Sequence, residues 1–207
     1  IIQNPFLPIE GIYSHFSTAD EGDPTFVELQ LERFNTILKS ANARGVSFRY
    51  IHCSNSGAIL NNYGETFNTV RVGMLAYGVA PSEEVPMKIN VEPVMSFCGP
   101  IVNLRTVSKN TPVSYGGIYL TKSNTNIGVI QMGFADGVPR PWYEDGYISY
   151  KGEKYNIAGR ICMDQFMVDF GDVEPKIGEE VLVFGKKEDD FIPIEMIAKK
   201  TNTTTYV

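Results

Sequence analysis

Residues 69–107 read TVRVGMLAYGVAPSEEVPMKINVEPVMSFCGPIVNLRTV, and the texture of the chain changes inside this stretch, near Ala80-Pro81. Upstream, apolar runs alternate with one long helical pattern. GIYSHFS (11–17) reads as a strand running into a loop. TFVELQLERFNTILKSANARG (25–45) follows Asp23-Pro24, with Phe26, Leu29, Phe34, Ile37, Leu38 and Ala41 at helical spacing and Gly45 as a stop. VSFRYIHCS (46–54) reads as a second strand, SNSGAIL (54–60) opens a short helix, and TVRVGMLAYG (69–78) reads as a third strand-and-turn unit. That order predicts βαβ units and a parallel sheet. From about Val91 the runs are short and β-rich: VEPVMSFCGPIVNLRTV, VSYGGIYL, NIGVIQMGF, GYISYKG, KYNIAG, QFMVDF and EEVLVFG. Turn residues part them at short intervals, as in an all-β domain with hairpins. PIEMIAKKT, opening at Pro193, is the one helical segment there.

The expected fold class is α/β plus all-β, with an α/β portion over residues 1–85 and a β domain over 86–207. Three strands cannot close a barrel, and an open sheet that small leaves edges uncovered. The first portion is therefore expected to belong to a larger domain. A small three-layer domain is the alternative.

Composition narrows the classes of function. The 207 residues hold 18 Lys and Arg against 24 Asp and Glu, a formal charge of −6. That balance lacks the electrostatic footprint of a nucleic-acid binder. No apolar run approaches the roughly 20 residues of a membrane helix, and IIQNPFLPIEG has no signal-peptide pattern. Cys53, Cys98 and Cys162 are odd in number and scattered, so they read as free thiols in a reducing compartment. With two histidines and no CxxC or HExxH, no metal site is expected.

Several small polar groups sit where chemistry could occur. Ser54 or Ser56, at a helix start, could bind a phosphate through its hydroxyl beside main-chain N–H groups, or could simply cap the helix. Arg71 precedes Gly73, which would let the backbone turn closely round a ligand; the alternative is an arginine on a strand rim. His15 ends the first strand and could orient an acid–base group, or be structural. Asp20 and Glu21 read as acids of a helix start. Tyr115 lies between Ser114 and Gly116-Gly117, either near a ligand or beside a bulge. GFADG (133–137) and GRICMDQ (159–165) are turns, and Arg160 and Asp164 could pair.

In combination, HFSTADE (15–21), HCSNS (52–56), VRVG (70–73), VSYG (113–116), GFADG (133–137) and GRICMDQ (159–165) strongly resemble alanine racemase, in order and approximate spacing. The family joins an N-terminal (β/α)8 (TIM) barrel, which binds pyridoxal 5'-phosphate (PLP), to a C-terminal β domain, and works as a head-to-tail homodimer. The resemblance implies that residues 1–85 are the last part of that barrel. It implies interconversion of L-alanine and D-alanine by two bases acting at Cα, in the cytoplasm, supplying D-alanine for peptidoglycan. Nucleic-acid and membrane partners are not expected.

By motif, Ser56, the N–H groups of Gly73 and Met74, and Tyr206 resemble the phosphate clamp. His15 resembles the histidine beside the cofactor ring, Arg71 the arginine facing its nitrogen, and His52 the histidine behind that arginine. Tyr115 resembles the base for the L-alanine face, serving the opposite subunit, and its pKa would be helped down by a His15–Arg71 network. Met163 resembles a substrate contact, and Asp20, Arg140, Arg160 and Asp164 resemble entryway or interface residues. Phe134 stands where GYADG is commoner. The lysine that carries PLP and serves as the second base, and the arginine for the substrate carboxylate, have no counterpart here. The chain is therefore expected to be a C-terminal portion, inactive alone. A serine or broad-specificity racemase, or a non-catalytic PLP-binding or dimerisation fragment, are the alternatives.

Overall fold

A computed structural model describes residues 8–205, which form two compact units divided between Glu92 and Pro93. In the first unit, β1 (Gly11–Tyr13) and β2 (Tyr50–His52) run parallel, with Ile12 opposite Ile51 and Tyr13 opposite His52. Between them lies α1 (Thr25–Ala43). Asp23 fixes its entry by accepting from the Thr25 N–H at 2.9 Å and the Thr25 hydroxyl at 2.6 Å. Gly45 ends it at φ 73°, a conformation suited to glycine.

The helix was legible in the sequence, but its buried face was not. Val27 and Phe34 are buried, with Leu31 and Leu38 packed beside them against Ile12 and Ile51. Phe26, Leu29 and Ile37, read as part of the core stripe, are exposed by 47, 37 and 54%. The helix carries two apolar stripes, and the strand pair takes the one spaced 27, 31, 34, 38. The helix-start reading of Asp20 and Glu21 is also corrected. Residues 17–22 form turns, and Glu28 is the acid in the first turn of α1.

After β2 comes α2 (Ser56–Leu60), capped by Asn55, whose Oδ1 accepts from the Ala58 N–H at 3.0 Å. The third strand expected over 69–78 does not form. Arg71 makes one main-chain bond, donating its N–H to the Ser54 carbonyl at 2.9 Å, and Met74–Tyr77 coil into a 3-10 turn. Val70 and Val72 face outward, so no ladder and no core hold this run as a strand.

The second unit is a closed barrel. Its strands are β3 (Phe97–Val107), β6 (Thr125–Ile130), β7 (Tyr147–Tyr150), β8 (Glu153–Ile157), β9 (Phe166–Asp169) and β10 (Glu180–Lys187). They pair antiparallel in the order β10-β3-β6-β9-β8-β7, and β10 returns to β7 through Leu182 opposite Ser149. Ile101, Ile130, Ile148, Phe166, Val168 and Leu182 fill the interior beside the buried Trp142. A short β11 (Asp190–Ile192), not foreseen in the sequence, extends β10 as a hairpin. It leads into α3 (Ile194–Thr201), which starts after Pro193 as its sequence predicts.

VSYGGIYL is not one strand. β4 (Pro112–Val113) and β5 (Tyr119–Leu120) form a separate small hairpin around a turn at Tyr115–Gly117. Ser114, Gly116 and Gly117 all adopt positive φ, at 65°, 75° and 58°, which breaks the extended chain. The expected fold class, an α/β portion followed by a β-rich barrel-like domain, thus holds. Among the described residues no helix is long and apolar enough to cross a membrane, and no acid, cysteine and histidine cluster could hold a metal ion.

Candidate active site

Three residues far apart in sequence converge at the ends of β1 and β2. Arg71 donates from Nη2 to Nδ1 of His15 at 3.0 Å and to the Ser14 carbonyl at 3.0 Å. The same nitrogen lies 3.4 Å from the Cys53 carbonyl, and Nη1 donates to Nδ1 of His52. A guanidinium has no lone pair to offer, so both imidazoles must accept at Nδ1 and carry their proton on Nε2. Burial and the neighbouring Arg71 charge hold the His52 pKa below its ordinary value, which favours that neutral form. Tyr13 completes the group. Its ring stacks on His52 with centroids 5.4 Å apart, and Arg71 lies over the same ring at 5.4 Å.

The charge of Arg71 is uncompensated. All four of its acceptors are neutral, and among the described residues no carboxylate forms an ion pair with it. Its Nε–H meets no acceptor there either. A fixed cation with a spare donor suits a ligand atom that accepts a hydrogen bond and must not be protonated.

A second polar group lies beside α2. Ser56 is 5% exposed, and its Oγ accepts from the N–H groups of Gly73 at 3.1 Å and Leu75 at 3.4 Å. Its own hydroxyl proton finds no acceptor among the described residues, and neither does the Met74 N–H. The Gly73 N–H, expected to face a ligand, is instead spent on Ser56. Gly73 is exposed, and a Cβ built on it would meet only Ser56 Oγ, at 3.8 Å, so the space beside Ser56 is open. Ser54 drops out as the alternative, since its hydroxyl donates to the Tyr63 carbonyl at 2.7 Å. Two free donors beside open space fit an oxyanion such as phosphate.

The second unit carries the other cluster. Tyr115 is 69% exposed at the tip of its turn, and Met163 is 63% exposed. Ser114 ties the Tyr115 turn to the next loop by donating from Oγ to the Arg160 carbonyl at 2.7 Å. Gly159 lies beneath it, where a Cβ would come within 2.7 Å of Ser114 Cβ. The Arg160 side chain reaches the Gly116 position. GFADG docks on the same loop: the N–H groups of Phe134 and Ala135 donate to the Cys162 and Met163 carbonyls at 3.0 and 2.9 Å. Arg140 lies over the Phe134 ring at 5.0 Å. Tyr115, Arg160, Met163 and Phe134 therefore belong to one set of interlocked loops, with Arg140 attached through Phe134.

Asp164 is exposed and forms no ion pair with Arg160 among the described residues. Asp20 is half-buried in the first unit, and its carbonyl accepts from the Ser82 hydroxyl. Tyr206 lies outside the described residues. Sequence reading missed Tyr13, although it lies two residues before His15 in the run read as the first strand, and Gln30, which holds the His15 carbonyl at 3.2 Å and the Ser17 N–H at 3.1 Å.

Comparison with known proteins gives the family. Residues 94–207 match the family model described as alanine racemase, C-terminal domain, and residues 1–81 match alanine racemase, N-terminal domain. The alanine racemase of Desulforamulus reducens is 39% identical over 203 residues, 97% of this chain and 54% of that protein. Alanine racemase 2 of Caldanaerobacter subterraneus subsp. tengcongensis is 38% identical over 95% of this chain and 51% of its own length. Among solved structures, alanine racemase of Clostridium difficile 630 in complex with cycloserine superposes with a TM-score of 0.90 at 33% identity, covering 99% of this chain and 54% of that one. Alanine racemase from Bartonella henselae, with covalently bound pyridoxal phosphate, does so with a TM-score of 0.80 at 26% identity, over 96% and 53%. The chain spans about half the length of the curated relatives it matches. On these matches, the chain belongs to the alanine racemase family.

Proposed function

We propose that this chain is the C-terminal portion of a PLP-dependent alanine racemase, with residues 1–85 completing the cofactor barrel and 86–207 forming the β domain. The observation that carries the reading is the uncompensated Arg71 fork, held between His15 and His52, with the Ser56 and Gly73 donors in the same unit. The two donor sets match the two ends of PLP. Ser56 O–H and the Met74 N–H would hold the phosphate, a role that the resemblance extends to Tyr206, while the Gly73 N–H braces Ser56. Arg71 would face the pyridine nitrogen.

Bound PLP draws electrons from Cα of an attached amino acid and so makes its α-proton removable. Arg71 would donate a hydrogen bond without surrendering a proton, which would moderate that withdrawal and limit side reactions. His15 and His52 fix the plane of the guanidinium, and Tyr13 covers its face. Tyr115 takes or returns the proton at Cα on the L-alanine face, in the site of a second subunit arranged head-to-tail. Met163 would contact substrate from the same loops, and Asp20, Arg140, Arg160 and Asp164 would line the approach or the subunit interface. The second base, a lysine, belongs to the family's remaining length. D-alanine so formed, in the cytoplasm, would be supplied for peptidoglycan.

The test is racemisation by the PLP-loaded full-length protein, followed as D-alanine formed from L-alanine. Turnover with alanine faster than with serine is expected, together with none by residues 1–207 alone. A cofactor-loaded full-length protein that leaves alanine untouched would overturn the reading.

A further inference from the structure

The hairpin bearing Tyr115 stands apart from the barrel ladder. Among the described residues β4 and β5 pair only with each other, and no main-chain hydrogen bond joins residues 112–120 to the seven-stranded sheet. Side chains must therefore fasten it. Ser114 does so on one arm, through the Arg160 carbonyl. On the other arm Tyr119 donates from its hydroxyl to Oδ2 of Asp169, at 2.6 Å, and Asp169 lies on β9 of the barrel. That carboxylate is itself held, since its Oδ1 accepts from the Thr125 hydroxyl and from the Gly171 N–H at 2.9 Å. The Tyr119 ring packs with Val113, Ile127 and Ala158. Burial and the adjacent carboxylate push its phenol well above the ordinary value, so it stays a donor throughout the working pH range.

We infer that Tyr119, through its bond to Asp169, is a positioning residue that sets where the Tyr115 phenol stands. The inference rests on Tyr115 acting at Cα. Apolar contacts alone are non-directional and let a small hairpin slide, and the hydrogen bond supplies the missing direction. Reacting groups tolerate little displacement: a shift of about 1 Å can cost on the order of a hundredfold in rate.

The test uses the full-length, PLP-loaded enzyme. Tyr119→Phe keeps the ring and removes only the hydroxyl, and kcat/KM should fall about tenfold. Alanine enantiomers are equal in free energy, so this loss must be the same in both directions. The discriminating readout is the α-deuterium isotope effect. It should rise with deuterated L-alanine and not with deuterated D-alanine, while cofactor absorbance stays unchanged. Asp169→Asn, which keeps an acceptor for the hydroxyl, should change the L-alanine effect less than Tyr119→Phe does. If Tyr115→Phe raises the L-alanine isotope effect but Tyr119→Phe leaves it and kcat/KM within about twofold of wild type, the positioning role is overturned. If Tyr115→Phe itself leaves the isotope effects unchanged, the reading of Tyr115 fails, and the inference falls with it.

Discussion

Arg71 donates to Nδ1 of His15 across 3.0 Å, joining the run after α2 to the end of β1. Because the same guanidinium also serves His52, Ser14 and Cys53, one side chain ties together the segments that end β1 and β2. An ammonium cannot reproduce that fork. Arg71→Lys should therefore reduce racemisation on the order of a hundredfold, with PLP still bound. Steady-state rates beside cofactor absorbance check this, and equal loss of both would show that the fork serves binding alone.

Ser56 and Gly73 make separable predictions. Ser56→Ala strands the buried Leu75 N–H and the Gly73 N–H, so it should lower stability by about 1–3 kcal/mol and also weaken PLP binding. Gly73→Ala meets nothing closer than 3.8 Å, so stability should change little while the new methyl occupies the open space beside Ser56 and PLP affinity falls. Urea denaturation of the cofactor-free protein and PLP titration by fluorescence separate the two. Gly73→Ala with unaltered PLP affinity would show that the space beside Ser56 is not the phosphate seat.

The pH dependence follows from His52. Its folded pKa lies below the ordinary 6.5, chiefly through burial and then through Arg71. The unfolded chain therefore binds this proton more readily than the folded one. The resulting stability is present above about 6.5 and is lost as pH falls from there through the folded value. Protonated His52 also cannot accept from Arg71. NMR titration of the ring should give a pKa below that of a free histidine, and His52→Gln should flatten the stability profile in the same window.

Gly159→Ala tests the seat of the Tyr115 turn. The residue has φ 88°, and its Cβ would press on Ser114 Cβ at 2.7 Å and the Val113 carbonyl at 2.9 Å. A loss on the order of 1–3 kcal/mol is expected, with a faster amide exchange at Ser114 and Tyr115 by hydrogen–deuterium mass spectrometry. Unchanged exchange there would mean the turn is held from elsewhere.

Much of this was readable from the chain alone, for a physical reason in each case. The six barrel strands announce themselves because alternation and turn residues are local signals. The limits of α1 were legible for the same reason, but its orientation was not. Two apolar stripes compete on one helix, and only the partner strands decide between them. The Arg71 cluster joins residues 56 and 19 positions apart in sequence, and no window of local pattern can bring these together. Its members were singled out through the combined motifs, whereas Tyr13 and Tyr119, which act through a ring face and a distant carboxylate, left no such mark.

The most direct measurement is the α-deuterium isotope effect of the full-length Tyr115→Phe enzyme with each enantiomer of alanine. If this chain supplies the phenol that works the L-alanine face, the effect rises with L-alanine alone, and kcat/KM falls by at least about a hundredfold. Wild-type isotope effects and rates with both enantiomers would contradict it.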